Sequence, residues 1–252
     1  MLKALMKMPK RRKAPIYVFS ILLLTLFTFG AYHAFSPNYY SLLGKPMSFS
    51  THFHGISMTL WVVMLFSQAI LIYLNQPRIH RWLGKLSYPL MLLVLISGFH
   101  IAHETVSGIP KGYSPYYSSV ALMFNSLICV AIFYILSIKN LKKPEIHGRY
   151  MLCTLIPMIT PVTDRLIYFN FREWVSHVPI IDGRPAVMLY GFILANLILI
   201  LLSVADLKSK KRMLVFPIAL AINLIYNISV LYFHDKKLWQ SVADIMMGLP
   251  LS

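Results

Sequence analysis

The chain has 252 residues, 58% of them hydrophobic and only 13% charged, with a formal charge of +16 and two cysteines. A soluble domain carries about twice that charged fraction, so the apolar surface exceeds what a core of this size can bury, and a bilayer is the natural solvent. The basic residues recur in short clusters between apolar runs, which points away from a nucleic-acid surface, while Cys129 and Cys153 both fall inside apolar runs and read as buried thiols.

Residues 1–14 form a basic N-terminal segment, "KMPKRRK" among them. The apolar run that follows is too long for a signal-peptide core and has no clear small-residue cleavage site, so it is expected to stay as a span. A spanning helix needs about 20 mostly apolar residues. Seven segments qualify in chain order: roughly Pro15–Phe35, Gly55–Asn75, Leu83–His103, Tyr117–Ile138, Tyr150–Phe169, Ala186–Leu207 and Met213–His234. Short segments rich in Pro, Gly, Asn and Lys join them. The expected fold is an all-α polytopic membrane bundle of seven helices over 15–235. After it, 236–252 is an outer interfacial amphipathic helix, with Leu238, Val242, Ile245, Met246 and Leu249 along one face.

Charge sets the orientation. Seventeen of the 24 Lys and Arg residues lie before the first span or in alternate loops after it, so the N-terminus is expected in the cytoplasm and the C-terminus outside, in a bacterial inner membrane. Tyrosines 32, 39, 40, 113, 116 and 117 fit an aromatic belt at the outer boundary.

In this layout His80 and His147 are cytoplasmic, each in a Pro-x-Ile-His phrase that opens an apolar run. Folding the second and third spans about a turn near Arg78 sets His54 opposite His103. His100 and His103 share a helix face, with Glu104 adjoining. Imidazoles with one carboxylate suit Zn or Fe, so His54, His100, His103 and Glu104 are a candidate metal set. The competing reading is boundary histidines that bond water or headgroups. In the fifth span, "MLCTLIPMITPVTDRLIYF", Pro157 and Pro161 should kink or break the helix just before Asp164 and Arg165. Charges at that depth normally face a cavity or a partner and are functional candidates. Their bland alternative is an interfacial Asp–Arg pair. Gln68, Asn125, Asn196, Asn223 and Asn227 are further polar residues inside spans, which commonly join helices.

His54, Gly55, Trp61, Gln68, His80, Arg81, Leu83, Gly84, His147, Arg149 and Arg165 together resemble the motif pattern of a family of bacterial seven-span inner-membrane proteins. The resemblance covers the second to fifth spans and implies no activity. One departure is His147-Gly148-Arg149, where that pattern has histidine, lysine, arginine. A weaker resemblance is to di-haem membrane cytochromes of the b561 type. It implies that His80 and His147 share one haem b, with Arg81 and Arg149 receiving its propionates. The fourth span, "YSSVALMFNSLICVAIFYILSI", has no histidine for a second haem.

For the repeated phrase three explanations compete: anchoring in anionic lipid headgroups, a bis-histidine haem site, and a site for a quinone or phospholipid headgroup. For the whole chain the leading expectation is a single-haem electron-transfer protein. The alternatives are an outer-face metal-dependent hydrolase and a transporter or assembly factor whose moving part is the fifth span.

Overall fold

The computed structural model describes residues 15–39, 47–113, 115–208 and 213–250. The basic segment 1–14, Tyr40, and Lys210, Lys211 and Arg212 lie outside the described residues. Helices α1 (Pro15–Tyr39), α2 (Phe49–Tyr73), α3 (Pro77–Lys85), α4 (Ser87–Ser107), α5 (Tyr116–Lys139), α6 (Pro144–Cys153) and α7 (Ile156–Asn170) come first. A 3-10 turn (Arg172–His177) and a small hairpin, β1 (Ile180–Ile181) and β2 (Arg184–Pro185), lead into α8 (Met188–Lys208), α9 (Val215–Tyr232) and α10 (Lys237–Met247). Among the described residues, six helices are long and apolar enough to cross a membrane, counting α6 and α7 as one, and the chain is an all-α, multi-pass membrane bundle. Helix α1 contains a shorter apolar stretch, Leu22–Phe35. Arg78, Arg81, Lys85, Lys139, Lys142 and Lys143 gather at one end of the bundle, here the basic end; the other is the far end.

The six long helices are apolar on nearly all sides, so packing selects which face turns inward. On α8, Phe192, Ala195, Leu199 and Leu202 are buried, while Ile193, Leu197 and Leu201 stay exposed on the opposite side, as a lipid-facing helix requires. The packed pairs run α1–α2, α2–α4, α4–α5, α5–α9, α9–α8, α8–α7 and α7–α1, which closes a ring.

The segment α6–α7 leaves its place in that ring. Pro157 has no N–H for the Cys153 carbonyl, and the helix breaks at Thr154–Leu155, where Thr154 and Leu155 bond back only three residues, to Met151 and Leu152. Pro161 remains inside α7. Below the break α6 packs on α5 and α9; above it α7 packs on α1 and α8. The chain therefore crosses the bundle, and its faces serve two cores. Tyr150, Cys153, Ile156 and Ile159 join Phe192, Leu199 and Phe216, while Leu152, Leu155 and Met158 join Trp61, Met91 and Val94. The freed Thr154 hydroxyl accepts from the Trp61 indole at 3.3 Å.

The reversal between α2 and α4 differs from expectation. The chain turns at Leu74–Gln76, with Asn75 in the left-handed region at φ 60°. Residues 77–85, expected partly as loop and partly as span, form the separate helix α3, which packs back along α2. Helix α10 also forms as expected. Ala243 is buried beneath it, the Trp239 indole donates to the Tyr117 carbonyl at 3.1 Å, and Leu238 and Ile245 are 81% and 73% exposed. That is the geometry of a helix lying at a boundary with its apolar side chains toward lipid.

Candidate functional site

At the basic end, α2, α3 and α6 bring His80 and His147 within electrostatic reach of one another. The Gln68 amide explains how His80 is held. With the amide turned so that its oxygen meets a donor and its nitrogen meets acceptors, the nitrogen donates to the imidazole Nδ1 and to the His80 carbonyl, and the oxygen accepts from the Gly84 N–H at 3.2 Å. Burial, then the neighbouring His147, pushes the His80 pKa below its ordinary 6.5. His147 Nδ1 lies 3.1 Å from the Ser137 carbonyl and 2.8 Å from its hydroxyl, which fixes its ring. Arg81 is exposed. Arg149 is committed elsewhere: its Nε donates to Asp206 at 3.0 and 3.1 Å and its Nη2 lies 2.9 Å from Asp206 Oδ1. Asp206, near the end of α8, is 57 residues distant in sequence and went unflagged there.

The candidate metal residues separate. His54 Nδ1 meets the Ser97 hydroxyl at 3.3 Å, and His100 Nδ1 meets the Ser50 hydroxyl. His103 Nε2 meets the Met247 carbonyl at 3.1 Å, tying down α10. Glu104 is exposed, within reach of Ser48, Ser50 and His100. Among the described residues no three His, Cys, Asp or Glu side chains converge to hold a metal ion. The cause is the turn. With the reversal at Asn75 instead of Arg78, residue 54 is level with 97 and residue 50 with 100. His103 is then level with the chain just before α2, about 9 Å beyond His54 at ~1.5 Å per residue.

At the far end the second candidate pair lies on a cavity wall. Asp164 and Arg165 line a cavity of ≈ 560 Å³ with Tyr168, Phe169 and Arg172. Adjacent in sequence, they project about 100° apart around α7. Arg165 Nη1 donates to the Pro161 carbonyl at 3.2 Å and its guanidinium sits 5.4 Å from the centre of the Phe35 ring. Oδ1 of Asp164 is buried and has no hydrogen-bond partner among the described residues. His54 lies within electrostatic reach of Arg165, and Arg184 and Tyr226 within reach of Asp164.

Arg184 is the residue the sequence reading missed, although a signal for its placement was present. Asp182-Gly183 is a strong two-residue hairpin turn, and both residues take left-handed φ, 50° and 72°. The turn sets Arg184 opposite Ile181. The Arg184 Nη2 donates to the Ser119 hydroxyl at 2.6 Å, and Ser118 donates to Asp182 at 2.8 Å, latching the hairpin to the start of α5. Comparison with family models, curated proteins and solved structures finds no match to this chain. Its chemistry therefore rests on the geometry alone. The cavity wall carries Arg165 and Arg172 against one carboxylate, Asp164, while Arg184 stands within electrostatic reach of both Asp164 and Asp182. Guanidinium groups beside a single carboxylate suit the recognition of an anionic group, and charges at such depth face a cavity or a partner rather than lipid.

Proposed function

We propose that the protein is a seven-span carrier or receptor of the bacterial inner membrane, N-terminus in the cytoplasm, that takes a small anion from the outer face. The observation that carries this reading is a ≈ 560 Å³ cavity on whose wall Arg165 and Arg172 outnumber the single carboxylate of Asp164. Buried charges of this kind persist where a ligand or its path needs them. The break at Thr154–Leu155 interrupts the helix directly below that wall, as broken helices do beside the sites of carriers. Helix α1 supplies the seventh span, and the positive-inside rule places the far end outside.

The test is flux into proteoliposomes loaded with a pH-sensitive dye, using acetate, succinate and inorganic phosphate. Transport by the native protein that is lost in Arg165→Ala and Asp164→Asn supports the carrier. Binding without flux supports a receptor, and neither binding nor flux overturns the reading.

A second reading, a single-haem b electron-transfer protein, has one observation in its favour. His80 and His147 approach each other from different helices, and His147 Nδ1 faces the Ser137 carbonyl, which leaves Nε2 to act as a ligand. Against it, Arg149 is already paired with Asp206, and Arg81 is exposed. A reduced-minus-oxidised absorption spectrum decides: a haem band lost in His80→Ala and His147→Ala would replace the first reading.

A further inference from the structure

A second cavity of ≈ 440 Å³ adjoins the first and shares Tyr168 and Arg172 with it. Its remaining wall is mostly Val175, Val178, Ile180 and Pro185, from the 3-10 turn and the hairpin. The two lobes share the Arg172 guanidinium and the Tyr168 ring and differ in the side chains that each adds, the second including Ser176. One presents Arg165 and Asp164, the other aliphatic side chains, and Arg172 stands at the junction where a head group would leave the apolar part of its molecule. Each lobe lies in the range of about 300–1,000 Å³ typical of small-molecule sites.

We infer that the ligand is an amphipathic anion: a single carboxylate or phosphate head held by Arg165 and Arg172, with an apolar chain laid along Val175, Val178 and Ile180. This deepens the proposed function and rests on it. Charge complementarity selects the head, since two guanidinium groups of this cleft face one carboxylate. Apolar burial selects the chain. Phe169, Phe171, Trp174 and Ile180 are all at least 45% exposed near the cleft, a rim suited to an amphiphile arriving from an interface. A fully polar anion would leave the second lobe unused.

The experiment titrates the full-length protein in lipid nanodiscs, with empty nanodiscs as the control for partition. The probes are octanoate and octyl phosphate, compared with acetate, inorganic phosphate and octanol. Octanoate or octyl phosphate should bind at least about tenfold tighter than the head-only and tail-only probes, gaining about fourfold per methylene from butanoate upward. Arg172→Ala, at an exposed position with little bearing on folding, should bring octanoate down toward octanol. Val178→Asp should bring it down toward acetate. Equal affinity for acetate and octanoate overturns this inference and leaves the anion site standing, whereas no anion bound at all overturns both. Octanoate binding unchanged in both variants places the amphiphile elsewhere and also overturns it. Solvent extraction and mass spectrometry before any probe is added separate the sources. A retained chain-bearing anion assigns the ligand to the bilayer, and an extract without one assigns it to water; both outcomes sustain the chemistry.

Discussion

Arg149 illustrates what a single residue's type does and does not disclose. Its place at a span entrance suggested a headgroup or propionate contact, yet the side chain is 10% exposed and its partner Asp206 is 4% exposed. Two charges so placed are costly to strand. Asp206→Ala should lower stability by about 3–5 kcal/mol, because it leaves an uncompensated buried guanidinium, whereas Arg149→Met with Asp206→Leu should recover most of that loss. Thermal unfolding in detergent measures both, and a double variant as unstable as the single would refute the pairing argument. His80 yields a pH prediction of definite sign. Burial favours its neutral form, so its folded pKa lies below the ordinary 6.5 and the unfolded chain takes up the proton first. Stability should therefore hold above about pH 6.5 and fall as the pH drops from there toward the lowered folded value. His147, Gln68 and Arg81 face His80 and set that value. In His80→Phe the unfolding midpoint should flatten between about pH 7.5 and about pH 5; an unchanged slope would assign the effect to other groups.

At the scale of elements, spans and breaks were legible where one residue type dictates backbone behaviour. Pro157 foretold the break at Thr154–Leu155, and the charged pair beyond it lines a cavity wall. Reversals were less legible, because a turn misplaced by three residues shifts facing positions by about six. The separate helix α3 and the Asn75 turn moved His103 away from His54 and dissolved the expected metal set. Arg184 depended on a two-residue turn and on serines 118 and 119, contacts that helical periodicity does not record. Helix–helix distance leaves its mark at Gly191. A Cβ there would lie 2.6 Å from the Thr160 Cα and 2.5 Å from the Thr163 hydroxyl, so α7 and α8 touch nearly backbone to backbone. Gly191→Ala should force these helices apart at a cost of about 1–3 kcal/mol. The loss should show in the thermal midpoint and in anion binding together, since α7 carries Asp164 and Arg165. A variant as stable as the native protein would mean that the contact is slack.

For the whole molecule, the closed ring and the crossing segment α6–α7 explain how one bundle can be apolar without and charged within. At the basic end α6 fills the space beside α5 and α9 with Tyr150, Leu152 and Cys153. At the far end α7 has moved toward α1 and α8, and Asp164, Tyr226 and the Arg184 hairpin gather instead. The proposed orientation rests on the basic loops, since lysines and arginines are retained on the cytoplasmic side during insertion. Cysteine labelling tests that step cleanly, because the native Cys129 and Cys153 are buried. Tyr113→Cys, at an exposed far-end position, should react with an impermeant maleimide in intact cells, and Lys142→Cys, exposed at the basic end, only after permeabilisation. Reactivity of both in intact cells would mean that α5 does not span, and the reverse order would invert the protein and place the anion cleft in the cytoplasm. Ala4→Cys, ahead of α1, decides the seventh span. Protection until permeabilisation makes α1 a crossing helix, whereas labelling from outside leaves six spans and sets both chain ends on the same side.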